Sequence, residues 1–200
     1  MSKRIEYFYW INSDWAYLGN DRLEEIAARH NAEIDYMPVD LPHVYSRTGG
    51  IVLSKRSKER QDYREAELKR WCQKLGIHVN PTPRFMCPNG ELASRVVIAA
   101  KFAGLDLAPL SQAILRAEWV HDKDISDEAT LADVIASVNY DNDALLSAAR
   151  AQSVLDEYRA YTERAIAAGA FGSPTYVLDG EVFWGQDRLD FLEAALASRK

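Results

Sequence analysis

The stretch FGSPTYVLDGEVFWGQDRLDFL, residues 171–192, decides the fold. Thr175–Leu178 and Val182–Trp184 are short runs rich in β-branched and aromatic residues. Asp179-Gly180 between them is a strong signal for a two-residue hairpin, because both central positions of that turn need positive φ. Leu189, Leu192, Ala195 and Leu196 then recur at helical spacing and predict a helix from Arg188 to Ala197, with Asp187 suited to its N-cap. Upstream, Ser173-Pro174 leads into the first of these strands. A proline there is read either as a cis X–Pro bond or as an ordinary trans proline at a strand start. The end of the chain is thus β-β-α.

The opening residues supply the other half. Residues 4–11, RIEYFYWI, read as a strand, and Asn12-Ser13-Asp14 is a cluster of helix N-cap residues. Trp15, Leu18, Ile26 and Ala27 continue it as an amphipathic helix, and residues 33–39 alternate as a second strand. Strand, helix, strand in this order implies a parallel pair. Between the two halves, from about Leu41 to Ile166, the periodicity is helical throughout. Leu68/Trp71/Cys72/Leu75, Val96/Val97/Ala100/Ala103, Leu110/Ile114/Ala117, Leu131/Val134/Ile135/Val138 and Tyr158/Tyr161/Ala165/Ile166 mark five helices. The chain therefore reads as an α/β protein: a thioredoxin-like βαβ-ββα domain, residues 1–41 and 167–200, interrupted by an inserted all-helical domain, 42–166.

Composition narrows the function classes. The 200 residues are 48% hydrophobic, enough for a substantial core. With 24 basic against 30 acidic residues the formal charge is −6, which gives no electrostatic reason to bind nucleic acid or anionic lipid. No apolar run approaches the roughly 18 residues a membrane helix needs, and the N-terminus lacks a signal-peptide pattern. A cytoplasmic protein is expected. The cysteines, Cys72 and Cys87, form no CxxC pair, and the four histidines have no metal-ligand spacing, so no metal site is expected.

Three places could carry chemistry. At the start of the first helix of such a fold, the helix dipole and free N–H groups favour a thiolate. Here that turn reads Ser13-Asp14-Trp15-Ala16 and holds no sulfur, which excludes dithiol exchange at this position. The Ser13 hydroxyl is either a plain N-cap or a donor to the thiolate of a bound thiol, whose pKa it would lower. At Ser173-Pro174, a cis bond would face that turn and offer the backbone of Ser173 for strand-like pairing. At Gln186-Asp187, helix capping and binding of the amino and carboxylate groups of a γ-glutamyl ligand are compatible. The stretch 54–70, SKRSKERQDYREAELKR, is the most basic part of the chain and reads equally as a carboxylate-binding patch or as a solvated helix face with i,i+4 partners.

Together, FYWINSDWAYLG (8–19), AEWVHDKDISD (117–127) and FGSPTYVLDGEVFWGQDRLDFL (171–192) resemble the family of 2-hydroxychromene-2-carboxylate isomerases and kappa-class glutathione transferases. The resemblance implies glutathione as cofactor, a small aromatic carboxylate as substrate, and a homodimer. It assigns the contact to the glutathione sulfur to Ser13, the residues of the cis-proline loop to Ser173 and Pro174, the γ-glutamyl contacts to Gln186 and Asp187, and a cation for the glycyl carboxylate to Arg60. Trp15, Trp119 and Trp184 are candidates to line an aromatic pocket or to be core. Two positions depart from the family pattern. Asp14 places a negative charge near the expected thiolate unless it is paired, and Gly50 stands where the family has an asparagine. A kappa-like transferase acting on another electrophile and a non-catalytic binding protein are the alternatives.

Overall fold

The computed structural model describes residues 3–199. Strand β1 (Lys3–Tyr9), helix α1 (Asp14–His30) and strand β2 (Ala32–Pro38) form the opening unit, and β3 (Thr175–Leu178), β4 (Glu181–Trp184) and α9 (Leu189–Ser198) form the closing one. The four-stranded sheet has the order β2-β1-β3-β4. β1 and β2 are parallel, with Tyr7 opposite Tyr36, and β3 runs antiparallel to β1, with Tyr7 opposite Tyr176. The hairpin turn is made by Asp179 and Gly180 at φ 51° and 83°, as that dipeptide predicts.

Between β2 and β3 lie α2 (Leu41–Thr48), α3 (Lys58–Leu75), α4 (Glu91–Phe102), α5 (Leu107–Trp119), α6 (Glu128–Ser137), α7 (Asn142–Ala148) and α8 (Gln152–Ala167). The five helices expected from periodicity are present, together with α2 and α7. Those two are short and bury only Leu41 with Val44, and Leu145 with Leu146, so neither builds a repeating apolar stripe. The last helix also differs at its start. Gln186–Arg188 form a 3-10 turn before α9, and Asp187 makes no side-chain capping bond there.

The two faces of the sheet are covered differently. On one, the rings of Tyr7, Tyr9 and Tyr176 stack, with centroids 4.6 and 5.3 Å from that of Tyr7, and Tyr36 meets Tyr7 edge-on at 5.2 Å. α1 and α5 close this face, where the Tyr36 hydroxyl donates to Glu24 at 2.5 Å and the Tyr9 hydroxyl bonds Ser111 at 2.8 Å. On the other face, Glu6 pairs with Arg164 of α8 at 2.5 Å, and Asp35 pairs with Arg4 and with Lys101 of α4. Among the described residues, no helix is long and apolar enough to cross a membrane.

Candidate functional site

After β1 the chain turns tightly, with the Ser13 N–H donating to the Trp10 carbonyl at 3.0 Å. Ser13 is the N-cap of α1, and its Oγ accepts from the Ala16 N–H at 3.2 Å. That bond uses an oxygen lone pair. The hydroxyl proton stays free to be donated, so capping and ligand binding do not compete. The Ser173–Pro174 bond is cis. This loop is tied to the Ser13 turn by the Trp10 N–H, which donates to Ser173 Oγ at 2.8 Å. The backbone N–H and carbonyl of Ser173 take no partner among the described residues.

A second bond, from the Gly185 N–H to the Pro174 carbonyl at 2.8 Å, draws Gln186 and Asp187 towards the same loop. Gln186 is almost fully enclosed. Arg22 of α1 donates to its Oε1 at 2.7 Å and to its carbonyl at 3.2 Å. Gly19 of α1 leaves the room for it: a Cβ there would stand 2.9 Å from Gln186 Cβ and 2.8 Å from the Tyr176 hydroxyl. Asp187 keeps its carboxylate at the surface beside Arg188, at 3.0 Å. Arg60 lies on the exposed side of α3 and has no ion-pair partner among the described residues. It is one turn, roughly 6 Å, before Arg64, which does reach the site. Of the tryptophans, Trp119 is core, Trp15 is half-buried, and Trp184 meets Phe171 near the surface with ring centroids 4.7 Å apart and planes tilted by 56°.

Both neighbours of Ser13 are held from the inserted helices by buried polar groups. Asp14 accepts from Arg64 Nε of α3 at 2.9 Å, with a terminal guanidinium nitrogen in ion contact at 2.5 Å, and from the Trp15 N–H at 2.8 Å. Burial pushes the Asp14 carboxyl above its ordinary pKa, and Arg64 and the Trp15 N–H pull against that. Arg64 also donates to the Pro81 carbonyl at 3.0 Å and lies over the Trp119 ring at 5.3 Å. On the other side, Asn12 Nδ2 donates to Glu118 of α5 at 3.0 Å and to the Pro88 carbonyl at 3.1 Å. Glu118 is fully buried, and burial pushes its carboxyl up to about 8. Cys87, beside it, is pushed up by burial to about 12, and the Cys72 thiol is also raised by burial. Neither cysteine is one of the residues 12–16 that form the α1 turn.

Sequence reasoning does not single out Asn12 or Glu118 as site residues and takes Arg64 only as one cation of the 54–70 stretch, although a signal is present. Glu118 follows Ser111, Ile114 and Leu115 on the buried stripe of α5, and Arg64 precedes Leu68, Trp71 and Cys72 on that of α3. A charge at a stripe position marks a buried partner. Gly50 has a steric reason: a Cβ there would meet the Tyr45 ring at 1.9 Å. A groove of about 730 Å³ between α3 and residues 76–81 includes none of the expected site residues.

A serine capping the first helix opposite a cis-proline loop, on a four-stranded sheet interrupted by helices, defines a thioredoxin-type site without its own sulfur. The description of the DSBA-like thioredoxin domain matches residues 4–197, and the chain belongs to that family. Within it, the chain is an isomerase-like enzyme. It is 30% identical over 198 residues to the 2-hydroxychromene-2-carboxylate isomerase of Sphingobium xenophagum, covering 98% of this chain and 99% of that one. The enzyme of the same name from Pseudomonas putida is 28% identical over 195 residues, covering 96% and 93%. A solved structure of 2-hydroxychromene-2-carboxylate isomerase superposes with a TM-score of 0.84 at 27% identity, covering 97% of this chain and 94% of that one.

Proposed function

We propose that the chain is a glutathione-dependent isomerase, a cytoplasmic homodimer that interconverts 2-hydroxychromene-2-carboxylate and trans-o-hydroxybenzylidenepyruvate in aromatic hydrocarbon degradation. The relatives are named for the first of these compounds. The observation that carries the cofactor reading is the pairing of Ser13, with a free hydroxyl proton and no thiol at its turn, with the unpartnered backbone of Ser173 in the loop tied to that turn. A cysteinyl ligand has what this site lacks, a sulfur atom, together with the amide N–H and C=O that Ser173 can pair with.

Bound there, glutathione supplies a reversible nucleophile for the conjugated double bond of the ring-opened keto acid. Ser13 would donate a hydrogen bond to the sulfur, and the dipole of α1 would add to the preference for the ionised form. Arg64 offsets the charge of Asp14, so the carboxylate next to Ser13 does not oppose that ionisation unscreened. The exposed Asp187 carboxylate suits a γ-glutamyl ammonium, and Arg22 holds the neighbouring Gln186 in place. Arg60 offers a cation to a terminal carboxylate.

The test is isomerisation of 2-hydroxychromene-2-carboxylate with and without glutathione, by the wild type and by Ser13→Ala. Turnover is expected to require glutathione and to fall about 10²–10³-fold in the variant, the scale for losing one positioned donor. The lost cap is expected to cost only about 1 kcal/mol of stability. Full activity without glutathione, or an unimpaired variant, overturns the mechanism. Accumulation of a conjugate makes the enzyme a transferase instead.

A further inference from the structure

We propose that Glu118 is a positioning residue of the Ser13 turn, acting through Asn12 to set where the Ser13 hydroxyl stands; for its catalytic meaning this rests on the reading of Ser13 given above. Glu118 is 0% exposed and joins two segments that meet at the site. Its Oε2 accepts from Nδ2 of Asn12, the residue before Ser13, at 3.0 Å, and its Oε1 accepts from the Cys87 N–H at 2.7 Å. Cys87 adopts φ 52°, an uncommon conformation for a residue with a side chain, and the bond to Glu118 holds it there. Three residues further on, Gly90 lies directly on the turn: a Cβ on it would come within 2.3 Å of Asn12 Oδ1 and 2.4 Å of Ile11 Cγ2. The carboxylate of α5 therefore fastens the turn and the 87–90 segment to each other.

The hydrogen bonds distinguish the two protonation states of Glu118. As a carboxylate it accepts from both partners. Once protonated it must donate one hydrogen, yet both partners are donors. The Cys87 N–H is backbone, so the proton falls on Oε2, facing the Asn12 amide. Asn12 Oδ1, buried and without a partner, supplies the missing acceptor if the amide makes a half-turn. That half-turn takes Nδ2 away from the Pro88 carbonyl and loosens the turn from the 87–90 segment. The carboxylate state clamps Asn12 to both Glu118 and Pro88, and the protonated state releases the second contact. The ionisable and charged groups around Glu118 are Asp14 of α1, Arg64 of α3 and the Cys87 thiol. Asp14 is already paired with Arg64, which leaves Glu118 as the buried acid without a cation of its own.

The experiment follows the side-chain amide of Asn12, the backbone amide of Ser13 and the carboxyl carbon of Glu118 by NMR across pH, without ligand. The three signals are expected to share one midpoint, near pH 8. In Glu118→Gln the Asn12 and Ser13 inflections are expected to vanish, and in Asp14→Asn to persist. Asn12→Ala gives a second route: Glu118 still titrates and Ser13 no longer follows it. An unchanged Ser13 profile in Glu118→Gln or in Asn12→Ala overturns the assignment. With glutathione bound, the ultraviolet absorbance of the thiolate is expected to titrate with two inflections in the wild type and one in Glu118→Gln. Failure of the wild type to bind glutathione overturns the cofactor reading, while the ligand-free titration still decides the role of Glu118.

Discussion

The tyrosine face of the sheet and the polar knot behind Ser13 are equally shielded from water, and they hold the chain by opposite means. The first gains from stacked rings and area removed from water, worth about 0.5–1.5 kcal/mol per aromatic pair beyond burial itself. Two of its hydroxyls, on Tyr7 and Tyr176, have no partner among the described residues, and that face is closed nonetheless. The knot of Asn12, Asp14, Arg64 and Glu118 takes ionisable groups out of water, at a cost of several kcal/mol per ion before their partners offset it. Packing stabilises the first region. In the second, stability is given up for fixed geometry on both sides of one serine.

The largest effect that can break this contrast lies at the ion pair. Arg64→Met leaves Asp14 buried without its cation and is expected to cost about 3–5 kcal/mol in urea denaturation. The double variant Asp14→Leu/Arg64→Met is expected to return close to wild-type stability, with the site lost. A double variant as unstable as the single one would show that the knot stabilises the fold after all.

An intermediate effect comes from Glu118. Its carboxyl is raised by burial from an ordinary 4.5 to about 8, so between those values the folded chain holds a proton that the unfolded chain has released. Stability from this group is therefore complete below about pH 4.5 and is lost as pH rises through 8, by an amount on the order of a few kcal/mol. Denaturation midpoints measured across that range should fall in the wild type and flatten in Glu118→Gln.

The smallest effect sharpens the other side. Tyr7→Phe and Tyr176→Phe remove unpartnered hydroxyls and should leave the unfolding free energy, measured by urea denaturation, unchanged or slightly higher, within about 1 kcal/mol. Tyr9→Phe, which loses the bond to Ser111, should lower the unfolding free energy by about 1 kcal/mol. A clear loss in Tyr7→Phe would mean that its hydroxyl has a partner, such as a buried water, and that this face is less dry than its rings suggest.

The sequence alone determined the elements whose signals are local. The Asp179-Gly180 turn, the Ser13 cap, the alternating strands and the long amphipathic helices depend on residues within a turn or two of each other, and they establish the α/β class and the break in the sheet. It also determined that the α1 turn carries a hydroxyl and no sulfur, which excludes dithiol exchange there. Helices α2 and α7 escaped because their few buried side chains make no period. What only the tertiary structure decided is what surrounds Ser13. Arg64 is 50 residues from Asp14, and Glu118 is 106 residues from Asn12. A charge on a helix is written the same way whether it ends in water or against a buried partner. Only the packing of α3 and α5 against the α1 turn settles which, because it is burial that turns those charges from solvated ornaments into the frame of the site.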